Sequence, residues 1–324
     1  MTEIGSFIGL DLEGTQEFYN NELGIARLNS ARSGIYHACR LYNCHTIYLP
    51  FYLSPSVNQY LSQHGIKTIK YYINDRFEPI DIKQAEKSAI LIVNYFGIIS
   101  HTKMQGIAGK LRNVIVDNSA AFYASPLDGC YNVYSPRKFF GVPDGCYIIG
   151  HYASRDTNEY PLDRSAETSS FLFSTIEQGT NATYNERMKN EARIDNSGPM
   201  RMSDLTRCLL KNINYNRIAS KRIENFKYAH FHFNKMNKFD PLSSFDETCV
   251  PMTYPLVIEN DELDRKLREK KVYVGRLWTE ILKEIAPSSF EAWMSKFMLP
   301  LPIDQRYGRS EIKEINKHLN DILV

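Results

Sequence analysis

The chain has 324 residues, 43% hydrophobic and 23% charged, which is the composition of an ordinary globular protein with a well-filled core. A net charge of +2 without a concentrated basic stripe indicates no nucleic-acid partner. The acidic start and an apolar run of only Ala89–Ile99 predict neither a signal peptide nor a membrane span, and a cytoplasmic location is expected. The six cysteines form no CxxC pair, and no metal site is predicted.

Residues 1–160 alternate short β-rich runs with helical patterns. Several of the runs are apolar on both faces, as in the inner strands of a parallel sheet that helices cover. This alternation predicts a large α/β domain. The predicted strands are Thr46–Leu49, Thr68–Ile73, Ala89–Asn94, Asn113–Asp117, Tyr131–Tyr134 and Cys146–Ile149, and the predicted helices are Ser33–Tyr42, Pro55–His64 and Lys103–Leu111.

The pattern changes after residue 160. Two long helices, Ser165–Ile194 and Ser203–Asn237, are predicted to form a bridge over residues 161–245, with Ser203 as an N-cap. A basic stretch in the second helix, which includes Arg222, is typical of a solvated face. Residues 246–324 then predict a small α/β domain with strands Tyr254–Ile258 and Val272–Val274 and helices Asp261–Glu269, Phe290–Lys296 and Ser310–Leu323.

Two residues that follow predicted strands are candidates for chemistry. Asp117 ends an apolar strand, and in open parallel sheets ligands bind beyond the carboxyl ends of the strands. A carboxylate there suits a buried cation, although an aspartate also commonly caps a turn. Lys138 lies between aromatic residues and a Pro-Asp-Gly turn, where partial desolvation favours a neutral, nucleophilic amine. The Ser135 hydroxyl could hydrogen-bond a phosphate beside the lysine. The alternative for Lys138 is that it is simply exposed to solvent, as most single lysines are.

A third candidate is the small-residue turn Ser30-Ala31-Arg32 before the first helix. Backbone N–H groups at a helix start, helped by the helix dipole, bind phosphate. The same residues also form an ordinary N-cap, so the motif by itself does not distinguish the two interpretations.

These elements, in this order, resemble the DegT/DnrJ/StrS family of sugar aminotransferases, which are fold-type-I enzymes that use pyridoxal 5′-phosphate (PLP). The resemblance covers nearly the whole chain, and its most specific parts are the aspartate and lysine segments. The segments that carry it are Asn29–Tyr36, Ile47–Tyr52, Val93–Gly97, Ile115–Ala120, Ser135–Lys138, Pro143–Gly145, Arg201–Leu205 and Leu299–Tyr307.

The resemblance implies a large, mostly parallel sheet domain with helices on both faces, a small C-terminal α/β domain, and a homodimer whose sites the partner completes. Lys138 would carry PLP as a Schiff base and shuttle the proton, and Asp117 would bond the pyridine nitrogen. The other implied cofactor contacts are Ser30, Ala31, Arg32, Tyr52 (by stacking on the ring), Ser119 and Ser135.

The expected activity is transfer of an amino group from an amino acid, L-glutamate in this family, to a keto group of a nucleotide-linked sugar. Three departures from the family pattern stand against it. Near Ser54 the chain lacks the aromatic residue that often stacks on the cofactor ring. Ala120 replaces a polar residue that contacts the cofactor, and Pro199 replaces an asparagine that binds the neighbour's phosphate. The alternatives are PLP-dependent elimination or dehydration, and a PLP-binding regulatory protein without turnover. Retention of Lys138 argues against the dehydratase relatives, which have histidine there.

Overall fold

The computed structural model describes residues 8–20 and 24–323, so the expectation about the first residues of the chain lies partly outside it. Its centre is a seven-stranded sheet in the order β1-β7-β6-β5-β4-β2-β3. Only β7 runs antiparallel to its neighbours. The mostly parallel α/β fold class is therefore confirmed. The strands are β1 (Ile25–Leu28), β2 (Thr46–Pro50), β3 (Lys67–Tyr71), β4 (Ser88–Val93), β5 (Val114–Asp117), β6 (Tyr131–Tyr134) and β7 (Cys146–Ile149).

The central strands are buried because their side chains are apolar on both faces. Every residue of β4 and β5 is buried. Helices α1 (Ala31–Leu41), α2 (Pro55–Gln63) and α3 (His101–Ala108) connect the strands, and α1 packs against β5, β6 and β7. The six predicted strands all exist, with ends shifted by at most two residues. The four-residue β1 was not predicted, because Ile25 is the one residue of its sequence, Ile-Ala-Arg-Leu, with a strong preference for strands.

The helical region from residue 165 onward is more broken than its sequence predicts. In place of one helix over Ser165–Ile194, a short 3-10 turn precedes α4 (Ser170–Ala182) and α5 (Tyr184–Asp195). Gly179, with φ 79°, interrupts α4 in a conformation that glycine adopts without strain.

The second predicted helix, Ser203–Asn237, is also divided. It consists of α6 (Asp204–Lys211) and α7 (Tyr215–Phe233). Ser203 is the predicted N-cap and accepts a bond from the N–H of Thr206. Asn214 caps α7 by accepting from the N–H of Arg217, and this local competition for backbone groups ends α6.

The C-terminal part contains a two-stranded antiparallel sheet of β8 (Thr253–Val257) and β9 (Met298–Pro302). The predicted strand Val272–Val274 is wrong: Lys271 takes a left-handed φ of 63° just after the helix that ends at Glu269, and the segment pairs with neither strand. Within the described ranges, no helix combines the length and apolar character that crossing a membrane requires. The remaining helices are α8 (Leu263–Glu269), α9 (Phe290–Phe297) and α10 (Arg309–Leu323), and α10 packs on α7.

Candidate active site

Three segments identified from the sequence meet at one edge of the seven-stranded sheet. β5 ends at Asp117, β6 ends just before Ser135, and β1 leads into the helix cap at Ser30. In the strand register Asp117 lies beside Val133, and β7 joins β6 to β1. The topology therefore brings these segments to the edge where open α/β sheets bind ligands.

Asp117 is a buried carboxylate without a cationic partner. The side chain belongs to a residue that is 6% exposed, and its Oδ1 accepts a bond of 2.8 Å from the N–H of Ser119. Among the described residues, no lysine, arginine or histidine nitrogen lies within 4.0 Å of it. Burial of an unpaired charge costs several kcal/mol, so the site is suited to a cationic ligand group.

Lys138 is exposed although its neighbours Pro136 and Phe139 are buried. The surrounding protein nonetheless desolvates the amine and lowers the pKa of Lys138, while the charge of Asp117 opposes the shift and that of Arg137 adds to it. Both facts are consistent with an amine that reaches solvent from within a recess. Arg137 is itself paired with Glu191 at 2.5 Å. Lys138 therefore combines access with a larger neutral fraction than an ordinary lysine has.

The start of α1 presents free backbone donors. The Ser30 hydroxyl caps the helix by accepting from the N–H of Ser33 at 3.2 Å. No acceptor in the described part of the chain bonds the N–H groups of Ala31 and Arg32. The Arg32 side chain instead bonds Asp195 at 2.5 Å. This turn can therefore contribute backbone N–H groups to an anion, and its arginine is already paired.

Two serine hydroxyls at the same edge lack partners among the described residues. Ser119 is 4% exposed, and its buried Oγ bonds nothing. Ser135 is 6% exposed and caps no N–H group of the turn that follows it. A fully buried hydroxyl without a partner is costly, so the Ser119 position is suited to a ligand with hydrogen-bonding groups. The Ser135 hydroxyl is available to the same ligand.

Tyr52 does not share this open environment. Its side chain is 0% exposed and packs edge-on against Trp278, with ring centroids 4.6 Å apart. Tyr95 lies on another side at 5.5 Å and donates its hydroxyl proton to the Tyr52 carbonyl. Because no face of the ring is accessible, Tyr52 could stack on a cofactor only after a rearrangement.

The turn after Lys138 is fastened to two other segments. The N–H of Gly145 donates to the carbonyl of Asn29 at 2.7 Å. The buried carboxylate of Asp144 accepts from the Ser203 N–H at 2.8 Å and from the Ser203 and Thr206 hydroxyls. Burial raises the pKa of Asp144, and these hydrogen bonds oppose that shift. The lysine loop is thus held to the starts of both α1 and α6.

Two of the positions that depart from the family pattern, Ala120 and Pro199, contribute no polar side chain. Ala120 is 9% exposed, and its carbonyl lies where a side chain on Gly97 would have to go. Pro199 is half-buried in the segment that pairs with Asn29 through Met200. In the loop of Asp117, the Ser119 hydroxyl is a buried polar group without a hydrogen-bond partner among the described residues.

Arg222 is a further residue at this edge, and the sequence interpretation of it was wrong. It is not on a solvated face but 2% exposed, with its guanidinium 4.5 Å from the ring centre of Phe139, the residue after Lys138. A signal was present in the sequence, because the position falls on the apolar stripe of α7. The buried residues of that helix are Ile218, Arg222, Asn225, Phe226, Ala229 and Phe233.

Comparison with known proteins finds similarity only among solved structures. No family model matches the chain, and no curated protein matches it. A DegT DnrJ EryC1 StrS aminotransferase from Brucella abortus is 14% identical, with a TM-score of 0.62 over 92% of this chain and 85% of that one. The sugar aminotransferase CalS13 from Micromonospora echinospora is 11% identical, with a TM-score of 0.63 over 92% and 87%.

A third structure, NtdA from Bacillus subtilis with bound cofactor PMP, is 14% identical, with a TM-score of 0.62 over 93% of this chain and 73% of that one. Identities this low show the fold alone. The predicted resemblance is confirmed at that level: this chain has the α/β fold of the DegT/DnrJ/StrS aminotransferases.

Proposed function

We propose that the protein is a PLP-dependent aminotransferase that moves an amino group from L-glutamate to a keto group of a nucleotide-linked sugar. The observation that carries the proposal is the arrangement of Lys138 and Asp117. A partly desolvated lysine amine lies beyond β6, and a buried carboxylate without a partner ends the neighbouring strand β5. The fold similarity to aminotransferases supports the same activity.

The residues present fit the cofactor. Lys138 would attach it covalently, and the unpaired carboxylate of Asp117 would hold a protonated ring nitrogen. The free N–H groups of Ala31 and Arg32, with the hydroxyl of Ser135, would bind its phosphate. The unpaired Ser119 hydroxyl would donate a further hydrogen bond to the cofactor. The Ser30 hydroxyl acts by holding the helix start. When bound, PLP supplies an electron sink for charge that develops at the substrate carbon.

The chain's own contribution is positioning and proton transfer. The neutral amine of Lys138 is the group able to take a proton from the α-carbon of the amino donor. Its lowered pKa increases the neutral fraction at a given pH. Asp117 presents its carboxyl group at the end of β5, and the buried surroundings exclude water from it.

The test is the visible absorption spectrum of the purified protein with PLP, before and after addition of L-glutamate. The wild type should be yellow and should be bleached by glutamate, because its amino group is transferred to the cofactor. Lys138→Ala should not give the yellow form, whereas Lys110→Ala, which changes an exposed lysine after α3, should behave as the wild type.

The other outcomes separate the alternatives. Binding without bleaching would indicate a PLP-binding protein that does not use glutamate. A polar residue in place of Ala120 would then be the first substitution to test. Formation of a dehydrated rather than an aminated sugar would indicate elimination chemistry. A protein that binds no PLP at all would overturn the proposal.

We also propose a homodimer. α4 contains no buried residue, and the α4–α5 hairpin exposes Phe173 (52%), Ile176 (84%), Tyr184 (57%) and Met188 (44%). An apolar surface of this kind is typical of an interface. The three predicted units, residues 1–160, 161–245 and 246–324, and the cytoplasmic location remain proposals as well.

A further inference from the structure

We propose that Arg222 and Gln305 are positioning residues that clamp Phe139 and, through it, hold Lys138 in place. Arg222 belongs to α7, Gln305 follows β9, and Phe139 is the residue after Lys138. The inference rests on the proposed function for the role of Lys138, but the contacts themselves do not depend on any cofactor.

The clamp grips both the ring and the backbone of Phe139. The guanidinium of Arg222 lies 4.5 Å from the ring centre. The Gln305 Nε2 donates to the Phe139 carbonyl at 2.8 Å, and the Phe139 N–H donates to the Pro136 carbonyl at 2.9 Å. Phe139 is 2% exposed, so neither peptide group next to it is free to rotate. The Lys138 backbone is therefore fixed from its C-terminal side.

Arg222 and Gln305 also orient each other. The Nε of Arg222 donates to Gln305 Oε1 at 3.1 Å. Because a guanidinium can only donate and a carbonyl can only accept, the amide of Gln305 has a single orientation that satisfies both neighbours. Arg222 Nη1 further donates to the carbonyl of Met252 at 2.9 Å, just before β8.

The environment of Arg222 is unusual for a buried charge. Within the described residues, no carboxylate oxygen lies within 4.0 Å of its guanidinium. Asp304 faces it at longer range but is paired bidentately with Arg306, at 2.8 and 2.9 Å. Desolvation lowers the pKa of Arg222 to about 10. Asp304 and Tyr123 oppose this shift, and the charge of Arg306 adds to it. The guanidinium thus remains charged at neutral pH, although its nearest partners are neutral hydrogen-bond acceptors and one aromatic ring.

A purely structural role would be to hold α7 to the segment after β9, and Asn225 already does so. Asn225 lies one turn further along α7, is 0% exposed, and donates to the carbonyls of Ile303, Asp304 and Tyr307 at 3.0–3.2 Å. None of the hydrogen bonds of its side chain among the described residues involves Phe139. Asn225→Ala is therefore a matched control for the loss of buried contacts between the same two elements.

The experiment measures the pH dependence of Lys138 acylation in the full-length chain, with acetic anhydride as the probe and mass spectrometry as the readout. The test variants are Gln305→Ala, Gln305→Glu and Arg222→Met. Gln305→Glu is the sharpest, since its carboxylate still accepts from Arg222 but cannot donate to the Phe139 carbonyl. Thermal unfolding is measured on each protein in parallel.

All three test variants should move the labelling pKa of Lys138 upward by about 0.5 to 1 unit, because a looser Phe139 admits water to the amine. PLP should bind about tenfold more weakly, with an altered visible spectrum. Asn225→Ala should lower the unfolding temperature and leave both site readouts at their wild-type values.

The proposal is overturned if Gln305→Glu labels and binds as the wild type, or if Asn225→Ala shifts the labelling pKa as much as Gln305→Ala does. The labelling readout needs no cofactor. A wild type that binds no PLP would therefore refute the proposed function. The labelling experiment would still show whether Arg222 and Gln305 hold Lys138 in place. Should Arg222→Met fail to fold, the two Gln305 variants decide.

Discussion

At the scale of single residues, the candidate site depends on two opposed effects on Lys138. Surrounding protein lowers the pKa of its amine, and the carboxylate of Asp117 raises it. Both residues could be predicted from sequence, because Asp117 ends an apolar strand and Lys138 follows the next strand, at the edge where the fold binds ligands. The absence of a cationic partner for Asp117 among the described residues could not be predicted, because only the structure shows which side chains surround it.

Asp117→Asn should separate the charge of this residue from its shape. The asparagine Oδ1 can still accept from the Ser119 N–H, so the loop should keep its conformation. Loss of the negative charge removes the effect that favours the ammonium form, and the labelling pKa of Lys138 should fall further. PLP affinity should fall at least about tenfold, which corresponds to about 1.4 kcal/mol.

The measurement is a PLP titration followed by absorbance, together with the acylation profile of Lys138. Asp128→Asn, which changes an exposed carboxylate in a neighbouring loop, is the control and should leave both unchanged. A rise in the pKa of Lys138 in Asp117→Asn would contradict the electrostatic account.

Arg222 shows why sequence reasoning misses some residues of a site. A basic stretch in a helix is usually solvated, and charged residues are rarely buried without a carboxylate. Its position on the apolar stripe of α7 was the available signal. The acceptors that satisfy it, Gln305 and the carbonyl of Met252, lie in segments more than 25 residues away in sequence, so no local pattern could reveal them.

At the scale of elements, strands were easier to predict than helix boundaries. Buried strands such as β4 and β5 consist of continuous apolar runs that few other structures explain. Helical periodicity, by contrast, continues across a break. Gly179 within α4 and Asn214 before α7 end helical geometry through backbone conformation and capping, which side-chain periodicity does not report.

The loop after β4 supports the loop after β5 through Gly97. This residue has φ 70°, and a Cβ there would lie 2.7 Å from the Ala120 carbonyl and 2.8 Å from that of Val250. Gly97→Ala should therefore destabilise the protein by more than the 1–2 kcal/mol of a left-handed alanine, about 2–4 kcal/mol in all.

Chemical denaturation provides the measurement, and Gly106→Ala provides the control. Gly106 lies inside α3 with nothing within 4 Å of the added Cβ, so alanine there should stabilise the protein by up to about 1 kcal/mol. Similar unfolding midpoints for the two variants would contradict the prediction, because the loop at Ala120 would then shift to admit the added Cβ without a loss of stability.

At the scale of the whole molecule, the order of elements identified the fold where single motifs did not. A phosphate turn, an aspartate and a lysine are each weak patterns, but their sequence along one parallel sheet matches an aminotransferase fold. At 11–14% identity the comparison extends to the fold and not to the substrate.

A partner subunit would cover the apolar side chains of the α4–α5 hairpin. Ile176 is 84% exposed, and its burial in an interface would contribute about 1.5–3 kcal/mol in each protomer. Ile176→Glu should convert a dimer to a monomer in light scattering, whereas Leu242→Glu, at a position 41% exposed in another loop, should not. A wild type that is monomeric at micromolar concentration would refute the homodimer, and an Ile176→Glu variant that remains dimeric would place the interface elsewhere. A monomeric variant that still binds PLP but loses turnover would indicate that the partner completes the substrate site.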